Sequence, residues 1–327
     1  MGRFEAAPRV RSRMKNWKGS EVELRPIYLV AAHYAPTRYA ELLDALSPAV
    51  VITHVDRKTD AAPFREAAST HPSVIFVPDN ERVDVVWGGW SQVAATLAML
   101  VLAQPIAEPD DYVIFLSGDS YPLQNTDGIQ AFFAASDGAQ YINSVSMPSL
   151  EQSKPLSRIS HAYLEYNPRN GKRNFSRRLF NRTGFPRNYV DALGGRQPRA
   201  GSTWWALTGE AVSWIIREVH RDEKFTKFCH YTKMPDEFFF QTLLGASPFS
   251  AKTRGSVMFA DWSRPTGAKP AILDLEHIDE LARHSLVTDN NGYGRSVALF
   301  ARKVKDDVTS ARIRTELWPL PAPGALD

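Results

Sequence analysis

The chain has 327 residues and a mass of 36.6 kDa, with 43% hydrophobic and 23% charged residues. These are the proportions of a globular protein with a sizeable core and not of a disordered or fibrous one. No stretch reaches the about 18 consecutive apolar residues of a membrane-spanning helix and the N-terminus has no apolar signal-peptide stretch, so a cytoplasmic protein is expected; the single cysteine, Cys229, excludes an internal disulfide or a cysteine zinc cluster and is expected as a small buried hydrophobe.

The net charge of +3 is unevenly divided. Residues 1–18 hold six Lys or Arg against Glu5 alone and show no helical apolar period. They read as the core of a basic N-terminal arm, 1–24, suited to peripheral contact with an anionic membrane surface at its cytoplasmic face. From there short apolar runs alternate with longer helical patterns, which predicts an α/β fold with a mainly parallel central sheet flanked by helices. Residues 27–32 read as a first strand. Residues 38–46 follow as a helix with Tyr39, Leu42, Leu43 and Leu46 on one face, and 50–55 and 74–77 are further strands. Residues 91–102 read as a helix capped by Ser91. Residues 112–116 are a strand that stops at Ser117-Gly118-Asp119. In open α/β sheets ligands gather outside the carboxyl ends of the strands, so His33, His54 with Asp56, and Asp119 together mark a candidate ligand edge, although Asp and Gly also form turns there. No Gly-x-Gly-x-x-Gly follows the first strand and no Walker A occurs, which argues against dinucleotide dehydrogenases and P-loop enzymes.

Residues 151–200 carry eleven Lys or Arg against three acids, a net of +8 that leaves −5 for the rest of the chain. Tyr163, Tyr166, Phe175, Phe180 and Tyr189 interleave with those charges. Such a segment suits a phosphate-rich partner, an anionic membrane surface or RNA, or is simply a solvated loop. With no RRM, KH, zinc-finger or helix-turn-helix signature, no nucleic acid is expected as a partner. Beyond it, Ser202 to Val219 presents Trp205, Val212, Ile215, Ile216 and Val219 as an element packed on the sheet. Met234-Pro235-Asp236-Glu237 ahead of three phenylalanines predicts a helix start, with Asp236 as its cap and Glu237 in the first turn. The tail 311–327, with Leu317-Trp318-Pro319-Leu320-Pro321, is either a packing strap or a contact.

A set of short motifs, in order along residues 26–304, resembles the core-2/I-branching β-1,6-N-acetylglucosaminyltransferases and the related peptide O-xylosyltransferases. They are Ile27-Tyr28-Leu29-Val30-Ala31-Ala32-His33, His54-Val55-Asp56, Trp87-Gly88-Gly89-Trp90-Ser91, Leu116 to Leu123, Gly201-Ser202-Thr203-Trp204-Trp205, Pro235-Asp236-Glu237-Phe238-Phe239, Asp261-Trp262, and Leu299-Phe300-Ala301-Arg302-Lys303. The Trp-Gly-Gly and Phe-Ala-Arg-Lys forms look closer to the xylosyltransferases and their bacterial relatives. The resemblance implies a GT-A-like glycosyltransferase domain over 25–310, with 151–200 as an acceptor-side insertion. It also implies inverting transfer of N-acetylglucosamine or xylose from a UDP-sugar to a hydroxyl of a carbohydrate or glycan-precursor acceptor.

Inversion by single displacement needs a carboxylate to take the acceptor proton and positive charge to receive the leaving diphosphate. Carried over by motif, Glu237 is the general base and Arg302 and Lys303 bind the diphosphate. By position, His33, Asp56, Trp87, Gly88 and Asp119 lie around the nucleoside and donor sugar, while Ser202, Thr203 and Trp204 meet the acceptor. No metal or other cofactor is expected, because the resemblance is to a metal-independent family and no Asp-x-Asp occurs. The adjacent guanidinium and ammonium are suited to replace a divalent ion at the phosphates. At Thr203 the sequence departs from the xylosyltransferase pattern, which tends to have Asp, and a peptide-serine acceptor does not follow. The basic segment just ahead of Gly201 suggests an acceptor that is anionic or membrane-bound. The alternative is a non-catalytic nucleotide-sugar or glycan-binding module of the same fold, and an RNA-binding protein ranks last.

Overall fold

The computed structural model describes residues 24–166, 175–263 and 269–324. The basic arm at 1–18 lies outside them, as do Arg169, Lys172 and Arg173 of the basic segment. Four strands, β1 (Pro26–Ala32), β2 (Val50–Val55), β3 (Val74–Phe76) and β4 (Tyr112–Ser117), run parallel. Next come β5 (Ser120–Pro122), β6 (Gln140–Ile142), β7 (Val145–Ser146), β8 (Arg199–Ala200), β9 (Trp205–Thr208) and β10 (Thr253–Arg254). The chain closes with β11 (Met258–Phe259), β12 (Val287–Thr288), β13 (Ser296–Val297) and β14 (Phe300–Arg302). The main sheet has the order β10-β6-β9-β4-β1-β2-β3, with β9 antiparallel to both its neighbours. This is the mainly parallel, helix-flanked sheet that the alternating pattern predicts, and it is consistent with a GT-A-like fold.

Both faces of the sheet are apolar because successive strand side chains point to opposite sides. Ile27, Leu29, Val113 and Phe115 join one core with the helices Trp90–Ala103, Gly209–Arg221 and Phe239–Gly245. Tyr28, Val30, Ile114 and Leu116 join the other with the helices Pro36–Leu46 and Thr126–Ala134. Each fully buried Leu, Ile or Phe contributes about 1.5–3 kcal/mol, so this two-sided burial fixes the sheet that carries the site. A smaller core lies under the helices Leu275–Arg283 and Asp307–Glu316. Within the tail, Leu317 and Trp318 pack as a strap: Leu317 is buried, its carbonyl accepts from Gln124 Nε2 at 2.8 Å, and Trp318 Nε1 donates to the Pro122 carbonyl at 3.2 Å.

Three local expectations are corrected. Ser91 is not the cap of its helix: the helix starts at Trp90 after an extended Gly89, and Glu165 of the basic segment accepts from Ser91 N at 3.1 Å and bonds its hydroxyl. An acid from a distant segment thus satisfies the helix terminus, which local sequence cannot show. Asp236 caps nothing, since Pro235–Glu237 forms a 3₁₀ turn and the helix that follows begins at Phe239 without a side-chain cap. The element read over 202–219 divides into β9 and the helix Gly209–Arg221, with Thr208 accepting from Ala211 N as cap. Cys229 is buried as expected, and burial pushes its thiol up.

Candidate active site

In register, Ala31 of β1 lies beside His54 of β2 and Ser117 of β4, so the carboxyl ends of the three strands share one edge. His33 and Tyr34 follow β1, Asp56 follows β2 and Asp119 follows β4. Strand β14 then runs antiparallel to β5 with Arg302 opposite Ser120, which sets Arg302 and Lys303 against Asp119. Asp119 is buried. Its Oδ1 accepts from Ser117 Oγ at 2.6 Å and lies 3.4 Å from Arg302 Nη2, while its Oδ2 accepts from Tyr34 OH at 2.7 Å and lies 3.7 Å from Lys303 Nζ. Burial alone would raise its pKa, but Arg302 and the two hydroxyl donors outweigh that and hold the carboxyl at about 2. Arg302 lies over the Trp204 ring at 4.6 Å, and its buried Nε has no hydrogen-bond partner among the described residues. Burial lowers both Arg302 and Lys303, with Asp119 opposing the shift in each.

A second part of this edge is built around Asp56. Its carboxylate accepts from Lys58 N at 2.9 Å and from Lys58 Nζ at 3.0 Å. Lys58 Nζ also reaches Asp84 Oδ1 at 2.5 Å and the Val85 carbonyl at 2.6 Å, tying the strand end to the loop before Trp87. Arg82 donates to the carbonyls of Val55 and Asp56, each at 2.9 Å, and clamps the same turn. His54 is buried and structural, since its Nε2 accepts from Val83 N at 2.9 Å, and burial lowers the ring to about 4. His33 packs edge-on against Tyr34 with ring centroids 4.6 Å apart.

A second cluster surrounds Glu237, whose Oε2 accepts from Lys154 Nζ and from Arg158 Nη1, both at 2.6 Å. Among the described residues Oε1 accepts no hydrogen bond. Asp236 beside it is buried, and its Oδ2 accepts from Thr203 Oγ1 at 2.7 Å and Gln92 Nε2 at 3.2 Å. Burial and then the charge of Glu237 push Asp236 up to about 6. The loop Gly201–Trp204 joins the two clusters. Gly201 N donates to the Glu237 carbonyl at 2.8 Å, Thr203 bonds Asp236, the Ser202 carbonyl accepts from Gln241 Nε2 at 2.7 Å, and Trp204 meets Arg302. Gly88, at φ +74°, accepts from Met234 N at 2.9 Å, which brings Trp87, 64% exposed, to the turn before Glu237.

The structure therefore gathers Asp119, Arg302, Lys303 and Trp204 in one group, with His33 beside Tyr34, and Glu237 and Thr203 in a second linked to it. Trp205 is a core residue, as its place on the sheet-packed element predicts, and Trp214 packs against the same core. Sequence reasoning missed Tyr34, Lys154, Arg158 and Tyr293. Tyr34 directly follows His33 at a strand end, so the same rule applied one residue further finds it. Lys154 and Arg158 were counted in the basic segment, where charge alone does not tell an internal ion pair from a solvated cation. Tyr293, whose phenol is raised by burial and by Glu237, has no sequence signal at all.

The core-2/I-branching enzyme family model matches residues 28–282, and the chain belongs to that family. It is 25% identical to xylosyltransferase 2 of Mus musculus over 227 residues, and 25% identical to xylosyltransferase 2 of Rattus norvegicus over 224 residues. Each match covers 66% of this chain but 24% of the relative, so the chain spans about a quarter of their length. Among solved structures, mannose-6-phosphate isomerase from Helicobacter pylori aligns over 61% of this chain and 79% of its own at 10% identity and a TM-score of 0.28, too low to bear on the fold. Family and curated relatives support a glycosyltransferase.

Proposed function

We propose that the chain is an inverting glycosyltransferase that moves N-acetylglucosamine or xylose from a UDP-sugar to a hydroxyl of a carbohydrate or glycan-precursor acceptor, without a metal. Glu237 Oε1 takes the proton of the acceptor hydroxyl as that oxygen bonds to the anomeric carbon. The bond from that carbon to the UDP oxygen breaks, and Arg302 and Lys303 receive the negative charge that develops on the diphosphate. Asp119 and Tyr34 hold those two cations in place, and Asp56 with His33 meets the nucleoside. Ser202, Thr203 and Trp204 line the acceptor side, with Trp87 and Gly88 at the donor entrance. Lys154 and Arg158 anchor Glu237, and their charge favours an anionic or membrane-bound acceptor.

The observation that carries this reading is the arrangement around Arg302. Two adjacent cations stand at the carboxyl edge of the sheet, Arg302 has a buried N–H with no partner among the described residues, and a four-residue loop ties Arg302 to the glutamate. A buried donor without a partner is costly, which is reasonable where a phosphate oxygen completes it. Calorimetric titration with UDP in excess EDTA tests this. Binding is expected to persist, and Arg302→Ala or Lys303→Ala should each weaken it by about tenfold to a hundredfold, the range for a charge-assisted hydrogen bond. UDP binding that appears only with added Mn²⁺ contradicts the metal-independent reading.

A further inference from the structure

The helix Phe175–Thr183 turns Phe175 and Leu179 away from the protein and leaves Phe180 half-buried. Its inward side is polar. Arg177 Nη1 donates to the Glu165 carbonyl at 2.8 Å, Asn181 Oδ1 accepts from Leu164 N at 2.7 Å, and Asn181 Nδ2 donates to the Leu164 carbonyl at 2.9 Å. At about 100° per residue, Phe175 and Leu179 stand on the opposite side, with Arg178 and Arg182 next to them. Phe175 is 71% and Leu179 53% exposed, and Phe185, 59% exposed, adds another exposed ring just past the helix, stacked on Phe180 at 5.8 Å. None of the helix's residues is buried, and it carries three arginines and no acid.

A solvated helix shows the reverse pattern, since its apolar stripe lies on the core and its charges face water. An exposed apolar ridge flanked by guanidinium groups is the chemistry of a helix lying in a lipid interface. An apolar protein groove accommodates the ridge but leaves the arginines uncompensated, whereas an anionic bilayer supplies an acyl boundary and a plane of phosphates at once. We propose that Phe175, Leu179 and Phe185 enter the boundary of an anionic lipid bilayer while Arg178 and Arg182 bind its headgroup phosphates, so that this helix docks the protein on the membrane. Asn181 and Gly184 also line a cleft of about 450 Å³ that contains Arg158 and Lys233. The inference goes beyond the proposed glycosyl transfer and does not depend on it, and its test uses no substrate.

The test is co-sedimentation of the full chain with vesicles of phosphatidylcholine containing about a quarter phosphatidylglycerol, against vesicles of phosphatidylcholine alone. The chain is expected on the anionic vesicles only. Phe175→Ser with Leu179→Ser should lower the partition coefficient about tenfold or more. Arg178→Ser with Arg182→Ser should lower it about thirtyfold, at roughly fivefold per basic side chain. All four positions are exposed, so unchanged thermal melting serves as the folding control. A chain lacking residues 1–18 should retain the difference between wild type and helix variants, which separates the helix from the basic arm. The proposal is overturned if wild type does not sediment with anionic vesicles, or if the helix variants bind as wild type does. It is also overturned if Phe175 and Leu179 prove to hold together a dimer in sedimentation velocity, which makes the face a contact between two copies.

Discussion

Two aspartates of the site carry opposite pH signatures, because their neighbours differ. Asp119 faces Arg302, Lys303 and two hydroxyl donors and sits at about 2, below its unfolded value. Its contribution to stability is therefore present above the ordinary carboxylate range and is lost as pH falls from about 4 to about 2. Asp236 is buried against Glu237 and sits at about 6, above its unfolded value. Its contribution is present below the ordinary carboxylate range and is lost as pH rises from about 4 through about 6. Asp236→Asn should flatten the fall in melting temperature over that upper window, and an unchanged slope would show that another group sets it. Asp119→Ala should cost about 3 kcal/mol in urea unfolding at neutral pH, the lower end for breaking a buried pair, because it leaves the half-buried Arg302 without its partner; a loss below about 1 kcal/mol would mean that solvent already screens the pair. Glu237→Gln keeps the size of the side chain and removes its basicity. Turnover should fall by at least about a hundredfold while UDP affinity stays within about twofold, and retained turnover would remove Glu237 as the base.

The loop Gly201–Trp204 is the element on which the two clusters depend, and it admits no side chain at its start. A Cβ on Gly201 would meet the Asn143 carbonyl oxygen at 1.6 Å, a backbone atom that cannot swing away. Gly201→Ala should therefore destabilise by about 3 kcal/mol, the upper end for overpacking, and lower turnover with it, measured by denaturant melts and assay in parallel. Strand ends such as those at Ala32, Val55 and Ser117 were legible in the sequence, because a buried parallel strand is an apolar run that stops where the chain meets the ligand edge. The pairing of β5 with β14 was not legible, since it joins residues far apart in sequence through strands of three residues each. Arg302 and Lys303 were reached through their motif alone. The missed caps have the same origin: Glu165 on Ser91 and Thr203 on Asp236 are long-range partners, and helix-start patterns register only near neighbours. The basic segment shows the limit of composition. Its +8 is in part internal structure, with Lys154 and Arg158 on Glu237, Arg187 over Phe228 at 3.8 Å and Arg196 on Asp222 at 2.6 Å.

At the scale of the whole molecule, one sheet edge and two antiparallel additions, β9 and β14, bring together residues from nearly the full length of the chain. Among the described residues no helix is long and apolar enough to cross a membrane. A ligand that binds only the folded chain stabilises it by about 2.7 kcal/mol at a hundredfold excess over Kd. The proposed donor is therefore readable as the UDP-sugar that raises the melting temperature most. The most direct test of the proposed reaction is UDP release by the full chain from a panel of UDP-sugars in excess EDTA, with and without a simple sugar acceptor. Release from one donor, increased by acceptor and undiminished by EDTA, is the predicted result. Release that requires added Mn²⁺ would contradict the role given to Arg302 and Lys303, and silence across the panel would point instead to a binding module of the same fold.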